Sequence, residues 1–333
     1  MNKIMVNNGG NMVISVPVER WTGKVCEVVI GATREEGGSR GNKLILGGES
    51  TLPMLAFEGN VTVPKLGLEV LDIVPDFFPE RIKNDFPQCL KGAREWAKAC
   101  KEAGAEMICL KLVGTNPEEE NRSVEESVET VMDVLRGVDL PIFVYGCGAE
   151  EKDGKVLSAC AEAAKGERIA LGLVEQDKYK TIAAAAIANG HAIVGLSNID
   201  VNLAKQLNIL LMDFGMKKES IIMDPLTGGV GYGLEYTYSV MERIRLAALS
   251  GDVSLQMPMI SDVTVSWNAQ EAVIEKAEFG DAKGRGVLWE ATTAIATINA
   301  GADLVIARHP STIKYLRSVI SNMYAKMDLR GAK

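Results

Sequence analysis

Residues 220–233 read Ser220-Ile221-Ile222-Met223-Asp224-Pro225-Leu226-Thr227-Gly228-Gly229-Val230-Gly231-Tyr232-Gly233: a short apolar run, an acid–proline stop and a glycine-rich turn. Directly after it Tyr236, Val240, Ile244 and Ala248 recur at helical spacing, and Gly251 ends the stripe. A buried strand followed by an amphipathic helix is one β/α module. Outward from this module the same alternation repeats from residue 66 onward. The other apolar runs are Leu66–Val74, Glu106–Val113, Ile142–Gly148, Ile169–Glu175, His191–Asp200, Pro258–Thr264 and Asp303–Pro310. Their near-continuous apolarity fits parallel strands covered on both faces better than half-exposed hairpins.

Three further helical stripes support the pattern. Ser123 with Glu126 forms a capping box ahead of Val124, Val128, Val131 and Leu135, and Gly137 stops that helix. Asp200 caps a stripe of Ala204, Leu207, Leu211 and Phe214 ended by Gly215. The last helix places Ile313, Leu316, Ile320, Met323 and Met327 inward. Eight modules over about 260 residues match the count and size of a (β/α)8 TIM barrel. The predicted barrel spans residues 66–330; an open doubly wound sheet is the alternative. Residues 1–65 fall outside the repeat. They are predicted to form an N-terminal extension whose strands, Val25–Ile30 and Lys43–Leu46, make a β-hairpin around the loop Gly31–Gly41, too small to bury a core alone.

Composition narrows the function. The 333 residues carry 36 basic and 44 acidic side chains, a net charge of −8. That balance argues against a general nucleic-acid binder, which needs clustered Lys and Arg. No apolar stretch approaches the ~18 residues of a membrane helix. The polar start around Asn7–Asn11 does not resemble a signal peptide, so a cytoplasmic location is expected. The cysteines at 26, 89, 100, 109, 147 and 160 lack CxxC spacing, which disfavours a metal or redox motif and an iron–sulfur cluster held wholly by this chain.

Barrel chemistry sits where strands end. The strand ends offer Asp72 and Asp76, Lys111, Gly146-Cys147-Gly148, Glu175 and Gln176, then Ser197, Asn198 and Asp200. The later ones offer Asp224, Ser261 with Asp262, and Arg308 with His309. In the sixth module Thr227, Gly228, Gly229, Gly231 and Tyr232 follow Asp224. Their glycines let the backbone approach a ligand, and the following helix offers N–H donors to an anion; an ordinary glycine-rich turn is the plainer reading. Lys111, in an otherwise apolar strand, is a desolvated catalytic amine of the Schiff-base kind, or it snorkels out, or it pairs with a carboxylate such as Asp72 or Glu175. His191 opens a strand at the non-catalytic end and is expected to be structural. Arg308 and His309 lie at the correct end, facing an anionic group or bridging to a carboxylate. So sparse an acid–base set suits a protein that cradles a reactive cofactor.

The segments Gly31–Arg40, Gly47-Gly48-Glu49, Phe57-Glu58-Gly59, Gly67–Asp76, Gln206–Leu210, Asp224–Gly233, Met241–Leu246, Gly286–Ala291 and Arg308-His309-Pro310 together carry a family resemblance. From about Cys26 to about Leu316 the chain resembles the small subunit of the corrinoid/iron–sulfur protein, also called the delta subunit of the acetyl-CoA decarbonylase/synthase complex. The resemblance implies a TIM barrel paired with a large subunit, with a cobalamin (corrinoid) between the barrel's C-terminal face and that partner. It implies a methyl carrier whose cobalt takes a methyl group from methyltetrahydrofolate on a methyltransferase and delivers it to acetyl-CoA synthase in the reductive acetyl-CoA (Wood–Ljungdahl) pathway. The [4Fe–4S] cluster is implied to lie in the partner. Consistent with half a site, neither His191 nor His309 stands in an Asp-x-His-x-x-Gly motif. The residues expected to meet the corrinoid are Asn198, Asp200, Asp224, Thr227, Gly228, Gly229, Gly231, Tyr232, Asp262, Arg308 and His309. The subunit interface is expected at the C-terminal rim, extended by the hairpin of residues 25–46. Two other readings compete. One is an autonomous pterin-binding methyltransferase-like barrel meeting its ligand at Asp72, Asn198 and Asp224; the other is a purely structural subunit.

Overall fold

The computed structural model describes residues 4–6, 12–14, 17–280, 282 and 284–325. Two antiparallel pairs come first: β1 (Ile4–Val6) with β2 (Met12–Ile14), then β3 (Val28–Ile30) with β4 (Leu44–Leu46). Alternation follows, with β5 (Lys65–Leu71), α1 (Glu80–Asp85), α2 (Ala93–Glu102), β6 (Met107–Lys111), α3 (Val124–Gly137), β7 (Ile142–Tyr145) and α4 (Glu150–Ala163). It continues through β8 (Ala170–Val174), α5 (Tyr179–Asn189), β9 (Ala192–Leu196), α6 (Val201–Asp213), β10 (Ile221–Asp224) and α7 (Leu234–Leu249). The chain then adds β11 (Ile260–Asp262), α8 (Gln270–Val273), α9 (Arg285–Ala300), β12 (Leu304–Ala307) and α10 (Pro310–Ala325).

Eight parallel strands pair in the order β10-β9-β8-β7-β6-β5-β12-β11. The two ends of that order meet: Met223 bridges Met259 in parallel, and the Met223 N–H donates to the Pro258 carbonyl at 2.9 Å. The sheet therefore closes on itself, and the open alternative falls. The capping box of α3 and the Asp200 cap of α6 both form. Two stripe positions differ from expectation, because Tyr236 and Phe214 sit at helix ends where the stripe runs off the core and are exposed. Met327, and the barrel's expected end at 326–330, lie outside the described residues.

Two apolar cores sit on opposite faces of the sheet. Leu66, Leu68, Val70, Ile108 and Leu110 face the helices. Met107, Cys109, Phe143, Tyr145, Val194, Ile222, Ile260 and Ile306 face the barrel axis. The inner core also takes in Val28, Ile30, Leu44 and Leu46, so the β3–β4 hairpin plugs one end of the barrel. Its contacts define which end. The Gly31 N–H donates to Arg168 O, Gly41 N–H to Asp139 O and Cys26 N–H to Gln256 O, all just ahead of strands. Buried Arg40 donates to the Val138, Leu140 and Leu135 carbonyls and pairs with Glu167 at 2.9 Å. The hairpin thus closes the N-terminal end. It cannot extend an interface at the C-terminal rim, which corrects the expectation drawn from sequence. Nearby, buried Arg245 on α7 bonds Glu49 from the extension and Asp303 ahead of β12, the latter at 2.7 Å.

Candidate functional site

Side chains alternate along a strand, so residues in phase with Met107 and Cys109 turn toward the axis. At the C-terminal mouth those positions are Glu69, Lys111, Tyr145, Asp224, Asp262 and Arg308. Four of them form one ion network. Lys111 Nζ lies 2.8 Å from Glu69 Oε2, 2.6 Å from Asp262 Oδ2 and 3.2 Å from Thr264 Oγ1. Arg308 Nε lies 2.5 Å from Glu69 Oε1, and its guanidinium stacks 5.2 Å from the Phe78 ring centre. Burial alone would raise the Glu69 acid, but Arg308 and then Lys111 overcome it and hold it near about 2. Burial likewise opposes the Lys111 charge, and Asp262 and Glu69 reverse this, pushing its pKa well above the ordinary lysine value. Lys111 is therefore a fixed cation rather than a free amine. Its partners are Glu69 and Asp262, not the Asp72 or Glu175 considered from sequence.

Asp224 lies beside this network and is 2% exposed. Burial, then the Asp262 charge, raise its pKa to about 7. Its Oδ1 accepts from Leu226 N at 2.8 Å and shapes the loop that follows. That loop is pinned from within. Gly228 N donates to Thr237 Oγ1, Val230 N to Thr293 Oγ1, and Trp289 Nε1 to Val230 O; Thr227 Oγ1 meets Ser261 Oγ at 3.0 Å. A β-carbon on Gly228 would stand 2.6 Å from the Gly233 backbone, so this glycine serves internal packing. Next to it Asn198, Ile199 and Leu226 hold positive φ values of 46°, 59° and 69°. For a β-branched residue such as Ile199 this is strained backbone, and such strain clusters at functional sites. The Ile199 N–H donates to Pro225 O at 2.8 Å, locking the loops after β9 and β10 together.

Off the axis, between the ends of β6 and β9, a pocket of about 280 Å³ opens. Lys111, Val113, Tyr145, Cys147, Leu173, Glu175 and others line it. The Tyr145 hydroxyl is buried and has no hydrogen-bond partner among the described residues. Asp153 accepts from the Cys147 and Gly148 N–H groups at 2.8 Å and shapes the pocket wall. A broader groove of about 880 Å³, over the starts of α4 and α5, shares Glu150 and Lys178 with this pocket.

The structure gathers Asn198, Asp224, Thr227, Gly228, Gly229, Gly231, Tyr232 and Asp262 around the mouth. Asn198 is exposed and donates to Glu175 Oε2 at 3.3 Å. Tyr232 is exposed and donates to Glu271 Oε2 at 2.8 Å. Three others are engaged in internal contacts. Asp200 accepts from Asn202 N and Leu203 N at the start of α6. Arg308 is taken up by Glu69. His309 is buried and stacked on Trp267 at 5.7 Å, and burial lowers its pKa. Asp72 is buried on the Gly114 and Ile73 N–H groups rather than open to the mouth. His191 is structural as expected, its ring nitrogens meeting Ile169 N and Ala161 O at the plugged end.

Sequence reading missed Glu69, Tyr145 and buried Glu290. Glu290 on α9 accepts from Arg308 N at 2.5 Å and Thr312 Oγ1 at 2.5 Å, fixing the loop after β12. A signal for Glu69 was present. Leu66, Leu68 and Val70 share one phase, leaving the lone carboxylate of the strand in the other, opposite in charge to Lys111 on the neighbouring strand. Tyr145 was read as one more hydrophobe.

Comparison with known proteins adds the following. A family model described as CO dehydrogenase/acetyl-CoA synthase delta subunit matches residues 27–323. The acetyl-CoA decarbonylase/synthase complex subunit delta of Archaeoglobus fulgidus is 36% identical over 320 residues, covering 93% of this chain and 71% of that protein. The subunit of the same description from Methanopyrus kandleri is 38% identical, covering 90% of this chain and 76% of the relative. Among solved structures, dihydropteroate synthase of Xanthomonas albilineans with 4-aminobenzoic acid superposes with a TM-score of 0.54 at 15% identity, covering 79% of this chain and 95% of the other. The Thermus thermophilus dihydropteroate synthase gives 0.54 at 17% identity, over 80% and 96%. These structural likenesses speak for the barrel fold alone.

Proposed function

Because this chain belongs to the CO dehydrogenase/acetyl-CoA synthase delta-subunit family, we propose that it is the small subunit of a heterodimeric corrinoid/iron–sulfur methyl carrier. In this reading it holds one face of a cobalamin at the barrel's C-terminal mouth. The methyl group comes from methyltetrahydrofolate through a separate corrinoid methyltransferase and goes on to acetyl-CoA synthase in the reductive acetyl-CoA pathway. The partner large subunit covers the other face and carries the [4Fe–4S] cluster, and the assembly works in the cytoplasm of an anaerobe. No described helix is long and apolar enough to cross a membrane.

The observation that supports this reading is a mouth with a sealed floor and a broad polar rim. The ion network of Glu69, Lys111, Asp262 and Arg308 fills the axis, so a large flat guest lies across the opening instead of entering it. The adjoining groove of about 880 Å³ is at the upper end of small-ligand sites. Carboxylate, amide and ammonium groups of Glu150, Glu175, Lys178 and Asn198 at the rim suit a guest edged with amides. Leu226, Tyr236 and Leu288 add exposed apolar surface above the loop after β10. Neither histidine is placed to ligate a metal at the mouth, since His191 lies at the far end and His309 lies under Trp267.

When bound, the corrinoid supplies a cobalt centre able to accept and release a methyl group. This chain's part is to bind, orient and shield. Asn198, Asp224, Asp262 and the segment Thr227–Tyr232 would hold it. Asp200, Arg308 and His309 fix the loops that carry those groups. Anaerobic co-expression with the large subunit in cobalamin-replete medium tests this. A brown 1:1 complex with corrinoid absorbance is expected. A colourless monomer that binds methyltetrahydrofolate by itself would overturn it in favour of a pterin enzyme. A complex whose corrinoid occupancy ignores changes at Asp224, Gly229 and Asp262 would mark a purely structural subunit.

A further inference from the structure

The 280 Å³ pocket beside the barrel axis has a chemistry that selects its occupant. Its inner end holds the Tyr145 hydroxyl, buried and without a partner among the described residues. A donor left in that state is destabilising, so in native proteins it calls for an explanation. Lys111 cannot supply one to a guest, because an ammonium has three hydrogens and Glu69, Asp262 and Thr264 take all three. An anionic guest would therefore meet no free cation at the inner end, and it would face Asp262 and Glu175. A cationic guest would meet the Lys111 ammonium there, while Lys178, which also lines the pocket, is faced by Glu150 at 3.8 Å. The walls, Val113, Leu173, Ile182 and Leu196, are apolar. The fitting group is neutral, with an acceptor for Tyr145 and a donor for a carboxylate such as Glu175, which keeps acceptor sites beyond its bond to Asn198.

A carboxamide carries that pair on adjacent atoms. We propose that this pocket is a socket for one primary carboxamide arm of the bound corrinoid, read by the Tyr145 hydroxyl and the Glu175 carboxylate. The proposal rests on the corrinoid reading above and adds to it a specificity-determining residue, Tyr145, outside the glycine-rich loop. Asn198, which holds Glu175 from a left-handed backbone position, becomes part of the same device. A lactam edge of a free heterocycle offers the same donor–acceptor pair, and the experiment separates the two sources.

Three measurements test the socket, two on Tyr145→Phe and one on wild type, with cobinamide as the probe in the complex with the large subunit. The free variant chain should melt at the wild-type temperature or above it, because it loses only an unpartnered hydroxyl. Cobinamide affinity, followed by absorbance, should fall about tenfold. In wild type, cobinamide should also slow alkylation of half-buried Cys147, another lining residue, read by peptide mass spectrometry at alkaline pH. Unchanged affinity together with unchanged Cys147 alkylation would overturn the socket while leaving corrinoid uptake standing. Failure of the wild-type complex to take up cobinamide would overturn the socket and the carrier reading together. Protection of Cys147 in the isolated chain by a free tetrahydropterin, but not by cobinamide in the complex, would assign the pocket to a free heterocycle instead.

Discussion

Lys111 pairs with buried Glu69 and partly buried Asp262 at once, and its removal would take the ammonium from Asp262 and leave Glu69 with Arg308 alone. Lys111→Met is expected to destabilise the fold by roughly 3–5 kcal/mol, measured as the urea midpoint at constant slope. Asp224 behaves differently. Folded, it keeps its proton up to about pH 7 because burial and the Asp262 charge disfavour the carboxylate. Unfolded, it titrates near the ordinary value of about 4. The folded state thus binds the extra proton between those limits, so this residue's contribution is complete in acid and is lost as pH rises through about 7. Asp224→Asn should remove that loss, making urea midpoints at pH 5 and pH 8 more alike than in wild type. Asp224 and Lys111 were both legible as strand-end polar residues. Their partners were not, because closing the ring sets side by side residues such as Glu69 and Arg308 that lie 239 positions apart.

The loop after β10 shows how similar glycines differ within one element. A β-carbon at Gly228 would press on the Gly233 backbone at 2.6 Å, whereas at Gly229 the nearest atom, in Ser266, is 3.5 Å away. Gly228→Ala is expected to cost about 1–3 kcal/mol and Gly229→Ala to leave the thermal midpoint near wild type. The strand–helix alternation was readable in the sequence because both faces of each parallel strand are buried. The turns and helix after β11 (residues 263–279) were not, since they interrupt the last modules without a periodicity of their own. The hairpin of residues 25–46 was readable as a hairpin from Val28/Ile30 and Leu44/Leu46. Its docking site was not, because one apolar face calls for cover without naming which end of a barrel supplies it.

Seen whole, the molecule has two unlike ends. The N-terminal end is sealed by β3 and β4, and the C-terminal end carries Phe77, Leu226, Tyr236 and Leu288 as exposed apolar groups around a charged floor. If the second end meets the large subunit, Phe77→Glu with Tyr236→Glu should weaken co-purification of the complex, while Val253→Glu, exposed ahead of β11, should not. Pull-down yield against a common bait checks this. Which end would serve as the mouth was legible from the rule that strands point toward their chemistry; the neutral, filled axis was not. The bonds from Arg245 to Glu49 and Asp303 carry a consequence for biosynthesis. The extension is translated before the barrel, yet the Arg245 that anchors its Glu49 lies 196 residues later and that guanidinium's second carboxylate later still. The hairpin can dock on residues 135–168 earlier, but most of the barrel must be translated before Glu49 is locked down, leaving that stretch open to proteases and chaperones on a nascent chain.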